Sequence, residues 1–204
     1  MRLPRAVKLA LIAPSGSGKS TVAGLFEEAA RRRGLVPAVV KLAAPLYRLQ
    51  AEIYRVARVP LRPGDQHQKI LESLAQHLRD VNPRAIVDDF LTRLAAVEAD
   101  VVINDDIRDC DVDWPALKAE GFRAVRIRAP EAIRMKRLSA RNDAHAIMRS
   151  SLDAIIARIP SDIVVDNGAI SLAQLGDRVD RILTAELERM NAGAPTRETH
   201  QWVG

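Results

Sequence analysis

Short apolar runs alternate along the chain with longer stretches in which apolar residues return every three or four positions. The runs Val7–Ala13, Val36–Leu42, Val101–Asn104, Phe122–Arg128 and Asp162–Val165 are short, and most have few polar interruptions. A strand that reads as a near-continuous apolar run is buried on both faces, as in a parallel sheet lying between helical layers. Five such runs separated by helical patterns predict an α/β fold, a five-stranded parallel sheet with helices on both faces.

The helices carry their own punctuation. The first is predicted to open at Ser20, after a glycine-rich loop, and to stop at Arg31-Arg32-Arg33-Gly34. Cations in a last turn with glycine just past it are a C-terminal signature. Asn82-Pro83 announces another helix, whose face is Ile86, Val87, Phe90, Leu91, Leu94 and Val97. Ser171-Leu172-Ala173-Gln174 has capping-box spacing and opens a final helix with Leu175, Val179, Ile182, Leu183, Leu187 and Met190 on one side. Residues 191–204 lose periodicity and are expected to form a flexible tail. Residues 44–98, between the second and third strands, are predicted to hold about three helices and no strand. That is more than one covering helix needs, so a lobe is expected over the carboxyl ends of the strands, where open α/β sheets bind ligands.

The 204 residues suit one compact domain over 1–190, with that lobe as part of it. Apolar residues make up 48% and charged residues 28%, enough for an ordinary core. A lone cysteine, Cys110, allows no internal disulfide framework, which fits a reducing cytoplasm. No apolar run approaches the roughly 20 residues of a membrane span, so no membrane partner is expected. The basic start, MRLPRAVKLALIAP, runs straight into the glycine loop and lacks the cleavage site of a signal peptide. A net charge of +5 admits nucleic acid as a partner. Aromatic residues are only 3%, however, and interleave with no basic stretch. The arginines are therefore assigned to solvated helix faces and to a site built for phosphates, with nucleic acid not expected. Homodimer formation stays open.

The chemistry concentrates at Ala13-Pro14-Ser15-Gly16-Ser17-Gly18-Lys19-Ser20-Thr21. Glycine, four residues, then Gly-Lys-Ser/Thr is the Walker A pattern, and here only the first glycine is replaced, by Ala13. Gly16 and Gly18 let backbone N–H groups turn inward as a nest for a β-phosphate, and the helix after them points its positive end at the same anion. Lys19 is then placed to reach β- and γ-oxygens and the Ser20 hydroxyl to ligate Mg²⁺. Ser15, Ser17 and Thr21 complete the expected nucleotide contacts.

The third strand ends in Asn104-Asp105-Asp106-Ile107-Arg108. A carboxylate at such a strand end is Walker-B-like, holding Mg²⁺ or its waters, with Asp106 placed ahead of Asp105; the alternative is that the pair caps the following turn. Arg108 is a candidate for the substrate or the transferring phosphoryl group. The acidic run Asp109 to Asp113 departs from a calcium loop at Trp114 and Pro115 and is expected to be solvated. Arg137 and Arg141, four apart on one helix face, fit a lid over residues 134–150 that supplies charge when substrate is bound.

With these residues in hand, the chain resembles P-loop nucleoside monophosphate kinases over roughly residues 7–185. The likeness is closest to the phage-type deoxynucleoside monophosphate kinases and more distant to dephospho-coenzyme A kinases. It is carried by Gly18-Lys19-Ser20, Leu42-Ala43-Ala44-Pro45-Leu46, Leu71-Glu72-Ser73-Leu74 with Arg79, Asp106-Ile107-Arg108, Arg137 with Arg141, and Val164-Val165-Asp166-Asn167-Gly168. The resemblance implies a P-loop kinase-like three-layer sandwich in which residues 44–98 are the acceptor lobe, with ATP and Mg²⁺ as cofactors. Lys41, Arg79 and Arg108 would line the acceptor phosphate, and Arg137 with the Asn167-Gly168 loop would flank the adenine. Gln68, Glu72 and Ala75 stand where the phage-type enzymes tend to have Arg, Gln and Gly. The implied reaction is phosphoryl transfer from ATP to a nucleoside monophosphate or a close analogue, or else to another small metabolite. A P-loop ATPase or a nucleic-acid-associated switch is the rival class.

Overall fold

The computed structural model describes residues 6–62, 64–107, 109–140 and 151–192. Five parallel strands form one sheet: β1 (Val7–Ile12), β2 (Pro37–Val39), β3 (Val101–Asn104), β4 (Arg123–Arg128) and β5 (Ile163–Asp166). Their order is β2-β3-β1-β4-β5. Leu9 of β1 stands opposite Ile103 of β3 on one side and Arg123 of β4 on the other. From β1 the chain goes out past β3 to β2, returns to β3, then crosses β1 to reach β4 and β5. The winding reverses at β1, so the crevice beyond its carboxyl end is where this class of sheet takes ligands.

Side chains alternate across the sheet, and each set has its own helical cover. Leu9, Leu11, Ile103, Val125 and Ile127 face α1 (Lys19–Arg32) and α8 (Leu172–Ala192), packing on Val22, Phe26, Leu175 and Val179. Ala10, Ile12, Val102 and Ala124 face the other way, onto α2 (Ala44–Ala57), α3 (Gln68–Val81), α4 (Ala85–Ala95), α5 (Asp113–Ala119) and α7 (Ser151–Ala157). There Leu46, Leu71, Phe90, Leu117 and Ile156 fill the core. The remaining helix, α6 (Glu131–Ser139), follows β4. Three helices lie between β2 and β3, as the periodicity predicts. Among the described residues, no helix is long and apolar enough to cross a membrane.

The helix ends follow the sequence closely. Gly34 and Leu35 donate to the carbonyls of Arg31 and Ala30, both at 3.0 Å, closing α1 where the glycine predicts. Ser171 and Gln174 form a reciprocal capping box, Gln174 N to Ser171 Oγ at 3.2 Å and Ser171 N to Gln174 Oε1 at 2.9 Å. Three elements differ from expectation. α4 begins at Ala85 with Arg84 at its N-cap, while Asn82, read as its cap, closes α3 and accepts from Arg84 N through Oδ1 at 2.9 Å. β2 stops at Val39 and not at Leu42, because the N–H groups of Leu42 and Ala43 bond to a carboxylate instead of a ladder. The acidic run after β3 is not wholly solvated. Asp109 Oδ1 accepts from Asp111 N (2.7 Å) and Val112 N (2.9 Å), and Asp113, 1% exposed, begins α5. The tail beyond Ala192 lies outside the described residues.

Candidate active site

β1 delivers the chain into a loop whose backbone turns tightly. Gly16 and Gly18 have φ of 78° and 92°, in the left-handed region that costs glycine no Cβ clash. Gly18 caps α1 through its own conformation, and Val22 N returns to Gly18 O at 3.0 Å. Pro14, Gly16, Ser17, Gly18, Lys19 and Ser20 enclose a concavity of about 100 Å³ at the N-terminus of α1. The concavity lies ahead of the N-terminus of α1, where the sequence pattern predicts an anion nest. Ala13, where the Walker pattern has its first glycine, is buried in the core cluster that holds Val22 and Phe26 of α1. Lys19 Nζ donates to Ala13 O at 2.6 Å, so the lysine lies back across its own loop. Ser20 and Thr21 are exposed on the first turn of α1.

Two elements grip this loop from outside. Arg134 of α6 donates to Ser15 O at 3.2 Å, and a Cβ added at Gly16 would lie 2.7 Å from the Arg134 carbonyl oxygen. Asn167, buried just past β5, donates its amide to Ser17 O at 2.8 Å, and a Cβ at Gly18 would collide with that same amide. Both glycines are therefore required by close approach as well as by φ. Arg137 donates to Asn167 O at 3.2 Å. Its Nη1 and the Ser17 hydroxyl are buried with no hydrogen-bond partner among the described residues. Arg137 and the Asn167-Gly168 turn, grouped on sequence grounds, thus come together against the loop. Gly168 N bonds to Asp166 Oδ1 at 2.9 Å, and Pro130 Cδ would meet a Cβ at Gly168 at 3.1 Å.

On the β3 side the two aspartates part company. Asp106 accepts from Leu42 N (2.7 Å) and Ala43 N (3.0 Å), and from the Asn104 amide at 2.9 Å. Asn104 also donates to Val40 O at 2.9 Å. Helix α2 has no side-chain cap of its own, since its N-cap is Ala43 and Pro45 follows within the first turn. Asp106 supplies the missing cap from the end of the neighbouring strand, satisfying N–H groups ahead of the helix. Burial pushes the Asp106 carboxyl above its ordinary value, while the Leu42 and Ala43 N–H groups pull it down. Asp105 is 7% exposed and forms an ion pair with Lys41. Asn104 was not foreseen; its signal was a polar residue closing an otherwise apolar strand.

The other expected acceptor cations are distributed differently. Arg79 donates to both carboxylate oxygens of buried Asp113 at 3.3 Å, tying α3 to α5. Arg108, Arg141 and most of the expected lid lie outside the described residues. Two arginines that sequence reading passed over, Arg126 and Arg128, line a second concavity of about 860 Å³ beside the phosphate loop. Their signal was two cations at alternate positions near the end of a buried strand.

Neither a family model nor a curated protein matches the chain. Solved structures do. A protein from Thermus thermophilus is 21% identical at a TM-score of 0.57, covering 90% of this chain and 99% of its own. A gluconokinase from Sinorhizobium meliloti 1021 is 18% identical at 0.51, covering 96% and 100%. The Mycobacterium tuberculosis APS kinase CysC, solved with AMPPNP and APS, is 19% identical at 0.53, covering 89% and 99%. Identities this low speak for the fold. The chain has the α/β architecture of P-loop kinases, a five-stranded all-parallel sheet between helical layers.

Proposed function

We propose that this chain transfers the γ-phosphoryl group of ATP·Mg²⁺ to the phosphate of a nucleoside monophosphate or a close analogue. The observation that carries the reading is the nest at residues 14–20, formed by left-handed Gly16 and Gly18 ahead of α1 and followed at once by Lys19 and Ser20. Its backbone N–H groups and the helix end would hold the β-phosphate, and Lys19 would leave Ala13 O for the β- and γ-oxygens. In-line transfer needs alignment and charge neutralisation, with no covalent intermediate on the protein.

Mg²⁺ fits the donors present. The Ser20 hydroxyl is a hard oxygen ligand at the mouth of the nest, and Mg²⁺ normally completes its shell with phosphate oxygens and water. The ion would neutralise charge developing between the β- and γ-phosphates. Sequence reading put Asp106 ahead of Asp105 for the metal's water shell. The hydrogen bonds of Asp106 to Leu42 and Ala43 favour Asp105 for that role, with Asp106 holding the β2–α2 junction.

A second reading has its own observation. Lys41 and Arg79, nominated for an acceptor phosphate, already face the carboxylates of Asp105 and Asp113. An acceptor offering a hydroxyl in place of a phosphate would use Asp105 as its general base. ADP release measured across ribo- and deoxyribonucleoside monophosphates, dephospho-coenzyme A and unphosphorylated metabolites separates the two. Turnover of a monophosphate, lost in Lys19→Ala, is expected. Turnover of a hydroxyl acceptor alone would replace the first reading by the second, and acceptor-independent hydrolysis alone would overturn both.

A further inference from the structure

Arg126 and Arg128 lie two apart on β4, so both side chains project from the same face of the sheet. They line the concavity of about 860 Å³, which shares Pro14 and Ser17 with the phosphate loop. Arg126 is half-buried and committed: it donates to Ile159 O and, at 3.4 Å, to Ile156 O, capping the end of α7. Burial and the neighbouring Arg128 charge both push the Arg126 pKa down. Arg128 is exposed and forms no ion pair among the described residues. Two like charges held side by side cost free energy unless an anion joins them. Asp166 lines the same concavity, with Oδ1 taken by Gly168 N. It suits a hydroxyl donor better than a second anion.

We propose that this concavity receives the acceptor, with Arg128 binding its anionic group and Asp166 accepting from a hydroxyl. The acceptor class is a phosphorylated or carboxylated compound that also carries hydroxyl groups, as a nucleoside monophosphate does. The volume lies within the range of small-molecule sites. The inference rests on the kinase reading, in which the nest serves the donor's phosphates; Arg128 lines the neighbouring concavity and not the nest, the two sharing only Pro14 and Ser17. Arginine suits the role because its planar fork pairs with phosphate or carboxylate through two hydrogen bonds.

Two measurements on the full chain test it. In the coupled assay, Arg128→Gln should raise KM for the best acceptor about tenfold or more, the scale of one lost charged hydrogen bond, and leave ATP affinity unchanged. Arg128→Lys should recover part of the loss. An unchanged acceptor KM, or an equal fall in ATP affinity, overturns the proposal. The second measurement needs no turnover: the rise in Tm caused by inorganic pyrophosphate. Lys19→Ala should keep part of that rise, and Lys19→Ala/Arg128→Gln should lose it. If Lys19→Ala alone removes the whole effect, the anion binds only in the nest and the proposal fails, whatever the catalytic assay shows.

Discussion

The Asn167 side-chain amide donates to the carbonyl oxygen of Ser17 at 2.8 Å, joining two loops 150 positions apart in sequence. The bond ties the glycine loop after β1 to the turn after β5. It also explains why position 18 admits no Cβ.

Replacing that amide should therefore loosen the loop. In Asn167→Ala, Ser17 O is left buried without its donor, at a cost of about 1–3 kcal/mol. Chemical denaturation should register the loss, and ATP titration should show weaker binding. A variant with wild-type stability and ATP affinity would reduce the bond to an incidental contact.

Glycine-to-alanine exchanges within one stretch should have opposite signs. Gly16→Ala places a methyl group against the Arg134 backbone in a left-handed conformation, so it should destabilise the chain and abolish ATP binding. Gly24 lies inside α1, and a Cβ there would meet nothing within 4 Å. Gly24→Ala should stabilise by about 0.5–1 kcal/mol, the helix preference for alanine. Thermal melts with and without nucleotide measure both.

The two aspartates after β3 should separate by readout. Asp106→Asn puts an N–H₂ group among the N–H donors of Leu42 and Ala43, so Tm should fall, with a loss of about 1–3 kcal/mol. Asp105→Asn keeps an acceptor for Lys41 and should leave Tm nearly unchanged while lowering kcat. The reverse pattern, with Asp106→Asn stable but deficient in Mg²⁺-dependent turnover, would return the metal role to Asp106.

A pH dependence follows from the contact between α1 and α8. Arg33 donates to Asp180 Oδ1 at 2.6 Å and Oδ2 at 2.7 Å, and this bonding holds the Asp180 carboxyl at about 2, against an ordinary 3.8. A depressed carboxyl stabilises the fold above its unfolded pKa and loses that contribution as pH falls through its folded pKa. The stability gap between wild type and Asp180→Asn should be constant at neutral pH and close between about pH 4 and pH 2. A gap that persists at pH 2 would mean that packing, not charge, is responsible. The pair is partly solvated, so added salt should narrow the gap at neutral pH.

The sequence by itself determined what repeats locally or is encoded in a short word. Apolar runs are legible because a strand buried on both faces excludes polar residues, and helix ends because a cap lies within a few residues of the groups it satisfies. The three helices between β2 and β3, the stop at Gly34 and the box at Ser171 and Gln174 were all of this kind. The tight turn after β1 was legible too, since the positive φ at Gly16 and Gly18 demands glycine at fixed spacing. Only the tertiary structure decided what each isolated charge faces. Asp106 meets amides about 63 positions away, Arg79 meets Asp113, and Arg126 meets the end of α7. An aspartate that caps a distant helix and one that would hold water on a metal read identically in a chain. Their difference lies in which donors the strand order 2-3-1-4-5 brings alongside, and a partner set by topology leaves no local trace.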